Sequence, residues 1–448
     1  MRMKVFKGVT ALGLVVFLFI GGFIVANSID EELNPEIPAL LERLSRPVPE
    51  EGNAYYYMVG MWAGPETGDI VKAGIAVQEV LRERATQTPG VFLEEQDYGA
   101  LGYLDLDIGD LSRCGSGDRP DCVRFMRERR QDYARAMAQY RLLLARYDRL
   151  FEYERYLEPM PTGGPWTGNS LALHRLYLAD IVSRWDRGER QPALVRLARA
   201  HEFWRRVASA DTSLLTRMIA ISILDMDYHV LPVLMDDCGD CRSYAEPLST
   251  MLSAFSNDEF AMHEVFMREF AWIAGSLSEL SGEIERELFG EGMDGFLLAS
   301  FYKPNATLNS FHDLHGRLAQ AFSLPPRDYL AARPDLEAYL ARKSSPTLVD
   351  MYFNAVDSIL VAIAIPDYRI YYERSFALED RRRLIALRWR LRDEGIAADG
   401  VAAFLAGLDA EVYGSIATGK LPRHDADAGV LRFDYDEVNP ELEMSVPL

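Results

Sequence analysis

The sequence predicts a mainly α-helical protein with an N-terminal transmembrane anchor, a large irregular helical bundle or array, and a small C-terminal β-hairpin. Three observations lead to this prediction: a long apolar run after three basic residues at the N-terminus, apolar residues that recur three and four positions apart over most of the chain, and a short alternating stretch near the C-terminus. Spacings of three and four are typical of amphipathic helices, and alternation is typical of a strand.

The N-terminal residues predict a membrane segment. Three basic residues, Arg2, Lys4 and Lys7, precede the uncharged run Val9–Ala26. As a helix this run spans ~27 Å at ~1.5 Å per residue, close to the ~30 Å hydrocarbon core of a bilayer. Residues 26–28 also resemble a cleavage site, but the apolar core of a cleaved signal usually has only ~7–15 residues. We therefore expect residues 1–28 to form a cytoplasmic tip and a retained anchor.

The charges on either side of this run predict its orientation. Basic residues beside a span tend to stay in the cytoplasm, and the acidic residues Asp30, Glu31 and Glu32 follow the run. We expect a single-pass protein of a bacterial inner membrane, with a cytoplasmic N-terminus, residues 9–26 in the membrane and the bulk of the chain in the periplasm.

The composition narrows the class of partner. The chain has 68 acidic and 48 basic residues and a net charge of −20, so it has no general attraction for phosphate backbones. We expect no nucleic acid, nucleotide or cofactor. Because 49% of the residues are hydrophobic and 26% are charged, the chain has enough apolar residues to bury a sizeable core.

Four cysteines occur as two local pairs, Cys114 with Cys122 and Cys238 with Cys241. An oxidising compartment uses such pairs as short-range disulfides, and we expect two. The second pair also has the spacing of a thioredoxin-like redox centre, but that centre needs a preceding strand, whereas residues 214–235 have a helical pattern. A four-thiolate zinc site is disfavoured because export oxidises thiols.

The region after the anchor divides into a stalk and a helical body. Residues 29–53 contain four prolines among acidic residues, which predicts a stalk with one helical turn. Residues 54–410 form the body. A stripe from Tyr133 to Phe151 predicts one helix of about 35 residues beginning near Val123, with its tyrosines in the core. Further helices are predicted over residues 69–84, 170–186, 192–210, 211–235, 247–256, 258–280, 306–323, 347–365, 377–394 and 397–408.

Two details of this body concern burial and helix ends. The apolar run Ile359–Ile365 is too short for a second span and indicates a buried core helix. Asp211 suits the N-cap of the helix that follows it. In the C-terminal unit, residues 411–448, the alternation over Val430–Asp436 after the turn at residues 427–429 predicts one arm of a β-hairpin. We expect the acidic tail from Glu437 to Leu448 to be mobile.

Two stretches resemble uncharacterised, membrane-anchored, helix-rich envelope proteins of Gram-negative bacteria. Trp185–Leu224 is similar to helix pairs of that group. Arg381–Gly395 followed by Thr418–Asp436 resembles its C-terminal helix and hairpin, often written Gly-Lys-Pro-Leu-x-Tyr, although this chain has Leu421-Pro422 and His424 at the transposed and tyrosine positions. The resemblance implies an envelope location and a helical architecture, and it implies no activity.

Histidines provide the few candidate ligands. His174 and His201 fall on the apolar stripes of two neighbouring predicted helices, where they form either a metal or acid/base pair or, more commonly, hydrogen-bonded core residues. His312 and His315 lie three apart on one helix face and form a workable ligand pair that needs a third ligand, for which His263 is a candidate. A polar surface turn is the preferred interpretation of that pair, so we expect no metal.

Three other motifs lack their required context. Residues 414–420 follow most of a phosphate-loop pattern but end in Leu421 instead of Ser or Thr. Ser300 and Lys303 have a penicillin-binding-enzyme spacing, yet Pro304 disfavours helix there and no Lys-Thr-Gly partner occurs. Asp425–Gly429 imitates the start of a calcium loop, but the glycine comes one position early. Position 12, where the loop closes with a glutamate, is Asp436.

Two functions remain open. We favour a non-enzymatic, membrane-anchored periplasmic protein that acts as an interaction scaffold, an assembly factor or an inhibitor of an exported enzyme. The sequence contains no common hydrolase, metalloprotease or dinucleotide signature. The alternative is an envelope hydrolase of cell-wall or glycan material with an unidentified Asp/Glu pair. That alternative requires a concave pocket that holds a carboxyl group with a raised pKa.

Overall fold

The computed structural model describes residues 2–87, 102–113, 121–160, 169–238, 241–279, 302–363, 368–442 and 444–448. The described chain is mainly helical, as the sequence predicts, and it ends in a small antiparallel sheet of three strands where a β-hairpin was expected. The first ten α-helices are α1 (Arg2–Ser28), α2 (Glu36–Leu44), α3 (Ala54–Gly60), α4 (Ile70–Gln87), α5 (Cys122–Glu128), α6 (Arg130–Gln139), α7 (Arg141–Leu150), α8 (Ser170–Asp186), α9 (Arg190–Ser209) and α10 (Leu214–Asp236).

The second half continues with α11 (Ala245–Met251), α12 (Asn257–Phe260), α13 (His263–Glu279), α14 (Pro304–Ala321), α15 (Pro326–Lys343), α16 (Leu348–Phe353), α17 (Ala355–Ile363), α18 (Arg369–Asp393), α19 (Val401–Ala406) and α20 (Ala410–Tyr413). The strands are β1 (Arg423–Asp425), β2 (Val430–Arg432) and β3 (Ser445–Pro447). Short 3₁₀ turns cover Gly109–Arg113, Cys241–Tyr244 and Ala398–Gly400.

Helices α8, α9 and α10 form the centre of the body. Their connections are short, so consecutive helices pack as antiparallel neighbours. Gly188 turns the chain between α8 and α9 with φ +88°, a conformation that favours glycine. The N-cap of α10 is Ser213, whose hydroxyl accepts a hydrogen bond from the Thr216 amide; the sequence interpretation had placed this cap at Asp211. Buried apolar residues occur around most of each helix, which places all three in the core.

A close crossing joins α3 to α4. A Cβ atom at Gly60 would lie 1.8 Å from the carbonyl oxygen of Ile70, and one at Gly74 would lie 1.9 Å from that of Tyr56. Only glycine permits this backbone approach. The crossing buries the aromatic run that precedes Gly60, including Tyr55, Tyr56 and Tyr57.

The long helix expected from Val123 is three shorter ones. The chain breaks at Arg129 and again at Tyr140, whose ψ angles are +23° instead of the helical value near −42°. Tyr133, Tyr147 and Phe151 are nevertheless buried as predicted, because the stripe keeps its inward direction across each bend.

Residues 29–53 pack against the body, which differs from the stalk expected there. Helix α2 has more than two turns, and Ile37 on its inner face is fully buried. Arg43 at its C-terminal end forms a bidentate ion pair with Glu264 of α13. The four prolines lie outside the interior of α2 or in its first turn, where proline is compatible with helix.

The single helix predicted over residues 347–365 is divided at Asn354 into α16 and α17. Thr347 and Asp350 form a capping box that starts α16. Within the described residues, this segment is also less buried than expected: Ile359 and Ile363 are exposed. The interpretation of Ile359–Ile365 as a buried core helix is therefore wrong for these two positions.

Helix α18 connects the body to the C-terminal sheet. Strand β2 pairs antiparallel with both β1 and β3, and Leu431 opposite Val446 is buried on the inner face. The expected mobile tail is wrong for most of its length, because β3 adds a strand and the side chains of Val438, Met444 and Val446 are buried. The tail lacks the strong alternation that marks β2.

One helix in the described part of the chain is long and apolar enough to cross a membrane, and a shorter apolar helix lies near the N-terminus. Among the described residues searched, Leu214–Asp236 is long and apolar enough, but 67% of its apolar window is buried in the body. Gly13–Ser28 is shorter and forms part of the 27-residue helix α1. Its large side chains from Leu14 to Ile20, together with Ile24 and Val25, are exposed.

The carboxyl group of Asp380 on α18 holds the C-terminal unit, residues 411–448, to the body. It accepts hydrogen bonds from the Tyr435 hydroxyl at 2.6 Å, the Ile416 amide at 2.7 Å and the Ser415 hydroxyl. Asp380→Ala removes the acceptor for three donors, each worth roughly 1–3 kcal/mol when left buried and unpaired. We expect the free energy of unfolding to fall by about 2–4 kcal/mol, with faster proteolysis within residues 411–448.

Urea unfolding and limited proteolysis measure both effects. Asp380→Asn keeps an acceptor oxygen at nearly the same place, so we expect a smaller loss. An Asp380→Ala variant as stable and as protease-resistant as the unsubstituted protein would contradict the proposed role of Asp380.

Candidate functional site

The junction between α1 and the body is built from side chains directly after the apolar run. Both carboxylate oxygens of Asp30 accept hydrogen bonds from the N-terminus of α14, at 2.9 Å from the Asn305 amide and 3.1 Å from the Ala306 amide. The residue at the N-cap position, Lys303, makes no such bond. Asp30 therefore caps a helix more than 270 residues away in sequence, and its charge also complements the positive end of the helix dipole.

Asparagine side chains extend this junction along α14. The Asn309 side chain donates to the Glu32 carbonyl oxygen at 2.9 Å and accepts from the Asn34 amide at 2.8 Å. The Asn305 side chain donates to the Glu31 carbonyl oxygen at 2.9 Å. The chain that leaves α1 is thus fixed to one face of α14 by backbone and side-chain hydrogen bonds.

A second contact lies between α1 and α16. The Tyr352 ring lies 4.8 Å from the Phe19 ring and 5.8 Å from the Phe23 ring, measured between centroids. Its hydroxyl donates to the Phe19 carbonyl oxygen at 2.9 Å. In return, the buried Asn27 amide donates to the Tyr352 carbonyl oxygen at 2.7 Å. Helix α1 is therefore held both by its C-terminal continuation and along its side.

Lys303 fixes the elbow between α16 and α17. Its ammonium group, one of the buried cations, donates to the Phe353 carbonyl oxygen at 2.9 Å and to the Asn354 side-chain oxygen at 2.8 Å. These two hydrogen bonds engage the ammonium group of Lys303, whereas Ser300, with which it shares the penicillin-binding-enzyme spacing, lies outside the described residues. The geometry of Lys303 supports a structural role.

A cleft of about 510 Å³ opens between α14, α15 and the α16–α17 elbow. Three cations, Arg317, Arg342 and Lys343, line it together with two carboxyl groups, Asp350 and Asp357. Tyr339 contributes an aromatic wall, with the Arg317 guanidinium 4.5 Å from its ring centroid. The cleft thus combines charges of both signs with an aromatic surface, which suits a polar ligand.

The environments of the two carboxyl groups shift their pKa values in opposite directions. Burial raises the pKa of Asp357 to about 6, although the Ser310 hydroxyl donates to it at 2.9 Å. Its other oxygen has no hydrogen-bond partner among the described residues. The pKa of Asp350 is lowered, mainly because the Thr347 side chain and amide donate to it. A protonated and an ionised carboxyl group therefore line one cleft near pH 5.

A second cleft of about 610 Å³ lies between α2, α13 and α14 and contains two of the candidate histidines. His263 and His312 both line it. His315 points into the core, where it is fully buried beside Phe270 and Phe311, and burial lowers its pKa to about 4. No group of three or more metal-ligating side chains is found in the described part of the chain, and the structure does not bring His315 together with the other two.

His174 and His201 share one buried carboxylate. Nε2 of His174 lies 2.9 Å from one oxygen of Asp227, and Nδ1 of His201 lies 3.1 Å from the other. The Trp204 indole donates to the Tyr147 hydroxyl, which lies 3.0 Å from Nδ1 of His174. Burial raises the pKa of Asp227, but the two histidines outweigh this effect and its pKa is lowered.

This cluster fits the hydrogen-bonded core alternative for the two histidines. All three charged or polar groups are completely buried, and none of them lines either cleft. The helical spacing indicated that His174 and His201 face the core. It gave no reason to select Asp227 as their shared partner, since many acidic residues are available.

A buried carboxyl pair at the start of α10 was not identified from sequence. The Glu158 side chain accepts from the Ser213 amide at 3.3 Å, and the Glu269 side chain accepts from the Leu214 amide at 2.8 Å. Burial raises the pKa of both groups. Both carboxyl groups accept hydrogen bonds from amides at the start of a helix, so their role is to cap it. Neither group lines either of the two clefts.

The remaining motifs have structural explanations in the described residues. Residues 414–420 form a tight turn in which Ser415 binds Asp380 and Gly419 has φ +70°. The Asp425–Gly429 segment forms the turn between β1 and β2. Cys122 and Cys238 are buried, and neither is a free thiol. Cys114 and the side chain of Cys241 lie outside the described residues, so the two local disulfides remain a prediction.

Compared with known proteins, the chain matches no family model, no curated protein and no solved structure. The resemblance to Gram-negative envelope proteins therefore stays a prediction.

The shifted pKa values of the cleft predict opposite effects of two matched substitutions. The folded-state pKa of Asp357 is above its ordinary value of 3.8, so this group costs stability as the pH rises from about 4 to about 6. Asp357→Asn removes that cost. Above pH 6 we expect the free energy of unfolding of the variant to be higher than that of the unsubstituted protein, by up to about 3 kcal/mol at 1.36 kcal/mol per pKa unit. Near pH 4 we expect the two free energies to be equal.

Asp350→Asn is the control with the reverse sign. The lowered pKa of Asp350 stabilises the folded protein above pH 4, and this contribution disappears on acidification. We expect the substitution to lower the melting temperature at pH 7 and to have little effect at pH 3. Thermal unfolding between pH 3 and pH 8 measures both variants; a shift of the same sign in both would contradict the assignment.

Proposed function

We propose that the chain is a membrane-anchored periplasmic protein that presents its helical body to a protein partner in the bacterial envelope, as a scaffold, assembly factor or inhibitor. The observation that carries the proposal is the hydrogen-bonded junction between α1 and α14. A flexible tether would leave the body free to rotate, whereas Asp30 and Asn309 fix it to the helix that leaves the membrane. A fixed orientation serves a protein that must meet its partner with one face.

The anchor is supported by where apolar surface is exposed. In the described residues, ten of the large apolar side chains that are exposed lie between Leu14 and Ile29. Soluble proteins rarely leave such a contiguous apolar surface in water, because each exposed side chain of this kind forgoes roughly 1.5–3 kcal/mol of burial. A bilayer around residues 9–26 covers this surface, and the basic flank orients the N-terminus toward the cytoplasm.

The character of the partner surface follows from charge. With 68 acidic against 48 basic residues, the chain attracts a partner with a basic surface. The two clefts lie on either side of α14, the helix that Asp30 caps. We infer that the partner docks on the polar body, away from the apolar base.

The test combines membrane extraction with crosslinking in cells. We expect the full chain to resist carbonate extraction and to be recovered with one stoichiometric partner after crosslinking and solubilisation. Asp30→Ala weakens the junction by roughly 0.5–2 kcal/mol, the usual cost of a lost N-cap, and should reduce the crosslinked complex while the protein stays in the membrane. Glu42→Ala, which removes only an exposed carboxylate 3.9 Å from Arg46, is the matched control.

Two outcomes would contradict separate parts of the proposal. Repeated recovery of a lone monomer would exclude the scaffold role. A mature N-terminus near Ile29, or release by carbonate, would show that the apolar run is a cleaved signal.

The second candidate function is an envelope hydrolase acting on cell-wall or glycan material. One observation favours it: the cleft holds Asp357, whose pKa of about 6 suits a general acid, beside the ionised Asp350. We expect purified protein to release soluble fragments from cell-wall material, with a maximum near pH 5. Asp357→Asn should reduce this activity at least 100-fold, as loss of a general acid does. No release by the unsubstituted protein would exclude this function.

A further inference from the structure

A second exposed apolar surface lies beside α1. On α16 the exposed fractions are 89% for Leu348, 63% for Val349 and 54% for Phe353, and on α17 that of Ile363 is 78%. Together with Ile359 these side chains are five of the large apolar residues exposed in the described structure. Only five others outside α1 and its end are exposed there, namely Leu142, Val195, Leu215, Val412 and Leu448, and they are scattered.

The surface of α16 is continuous with the apolar surface of α1. The Tyr352 ring on α16 contacts the rings of Phe19 and Phe23, and its hydroxyl donates a hydrogen bond to the Phe19 carbonyl oxygen. Phe19 is seven residues before Ala26, the last residue of the expected span, which is about 10 Å along the helix axis at 1.5 Å per residue. A bilayer that surrounds α1 as far as Ala26 therefore reaches the level of Tyr352.

The backbone of this elbow has partners that suit a low-dielectric environment. The capping box of Thr347 and Asp350 pairs the amides that begin α16. At its other end, the Asn27 side chain donates to the Tyr352 carbonyl oxygen, and Lys303 donates to that of Phe353. Unpaired helix ends are costly away from water, so these side chains permit the elbow to leave bulk solvent.

Polar groups at the edge of α16 match the interface region of a membrane. Tyrosine is enriched at that level because its ring is apolar and its hydroxyl is polar. Arg342 and Lys343 lie in the last turn of the preceding helix α15. Cations in the interface region of a membrane pair with anionic headgroups, and their long side chains reach toward water. The charged side chain of Asp350, which follows Val349 on α16, lines the cleft.

We propose that α16 inserts its exposed side chains Leu348, Val349 and Phe353 into the boundary between headgroups and acyl chains of the periplasmic leaflet, beside α1. The inference rests on the proposed anchor, and it adds a second membrane contact that fixes the tilt of the body. The molecules that cover this surface are lipids. Ile359 and Ile363 on α17 continue the same apolar surface.

The test uses the full-length protein in vesicles of phosphatidylethanolamine and phosphatidylglycerol. A nitroxide spin label is attached to single substitutions, Leu348→Cys and Val349→Cys, without reductant, and the unsubstituted protein measures labelling of the native cysteines. Phe17→Cys reports the anchor, and Val412→Cys reports an exposed apolar position on α20. Collision rates with oxygen, which partitions into lipid, and with a water-soluble nickel chelate are compared.

We expect labels at positions 348 and 349 to resemble the label at position 17, with a several-fold higher ratio of oxygen to nickel collisions than at position 412. Nickel access at 348 and 349 together with lipid exposure at 17 would overturn the inference and leave the anchor standing. Nickel access at position 17 would overturn both. Shielding of positions 348 and 349 from both reagents would indicate a protein contact, such as a second copy, and would also overturn the inference.

Discussion

The junction between α1 and the body is centred on the Asp30 carboxylate, which accepts hydrogen bonds from the first free amides of α14. Those amides have no intrahelical partner, and Asp30 supplies one from the segment that follows α1. The contact satisfies a helix end and fixes the chain direction at the same time. Because α14 also packs on α13 and borders both clefts, its N-terminal cap relates α1 to every candidate binding surface that we describe.

Other contacts at this junction also hold α1 to the body. Asn27 and Tyr352 hold α1 against α16, and Lys303 holds α16 to the start of α14. Three segments that are far apart in sequence thus form one closed set of contacts at the base of the body. Loss of one contact leaves the other two in place, so we expect a substitution at Asp30 to weaken the orientation of the body without separating it from α1.

The sequence predicted the elements with the strongest periodicity. Helix α8 was predicted with its observed bounds, and α10 within a few residues, because their apolar residues recur around a continuous helix with clear breaks at each end. Strand β2 was predicted from its alternation. Helix α15 was not predicted; it contains two prolines, Pro326 in its first turn and Pro334 in its interior. Periodicity also could not show that the helical stripe from Tyr133 bends twice.

The candidate site was harder to predict because its residues are joined only by the tertiary fold. Nothing local distinguishes Asp30 from Glu31, or Asp357 from the other 67 acidic residues of the chain. What separates them is the environment. Asp227 and Asp380 are buried but each binds two or three donors, which is expected of structural carboxyl groups.

Asp357 differs because one of its oxygens has no partner in the described residues and it lines an open cleft. A carboxyl group kept in this state costs stability, and a cost of this kind is usually retained where the group contacts a ligand. Val349 and Phe353 line the same cleft from α16. In the arrangement that we propose for α16, the cleft would open at the membrane surface, and a ligand of Asp357 would approach along the bilayer.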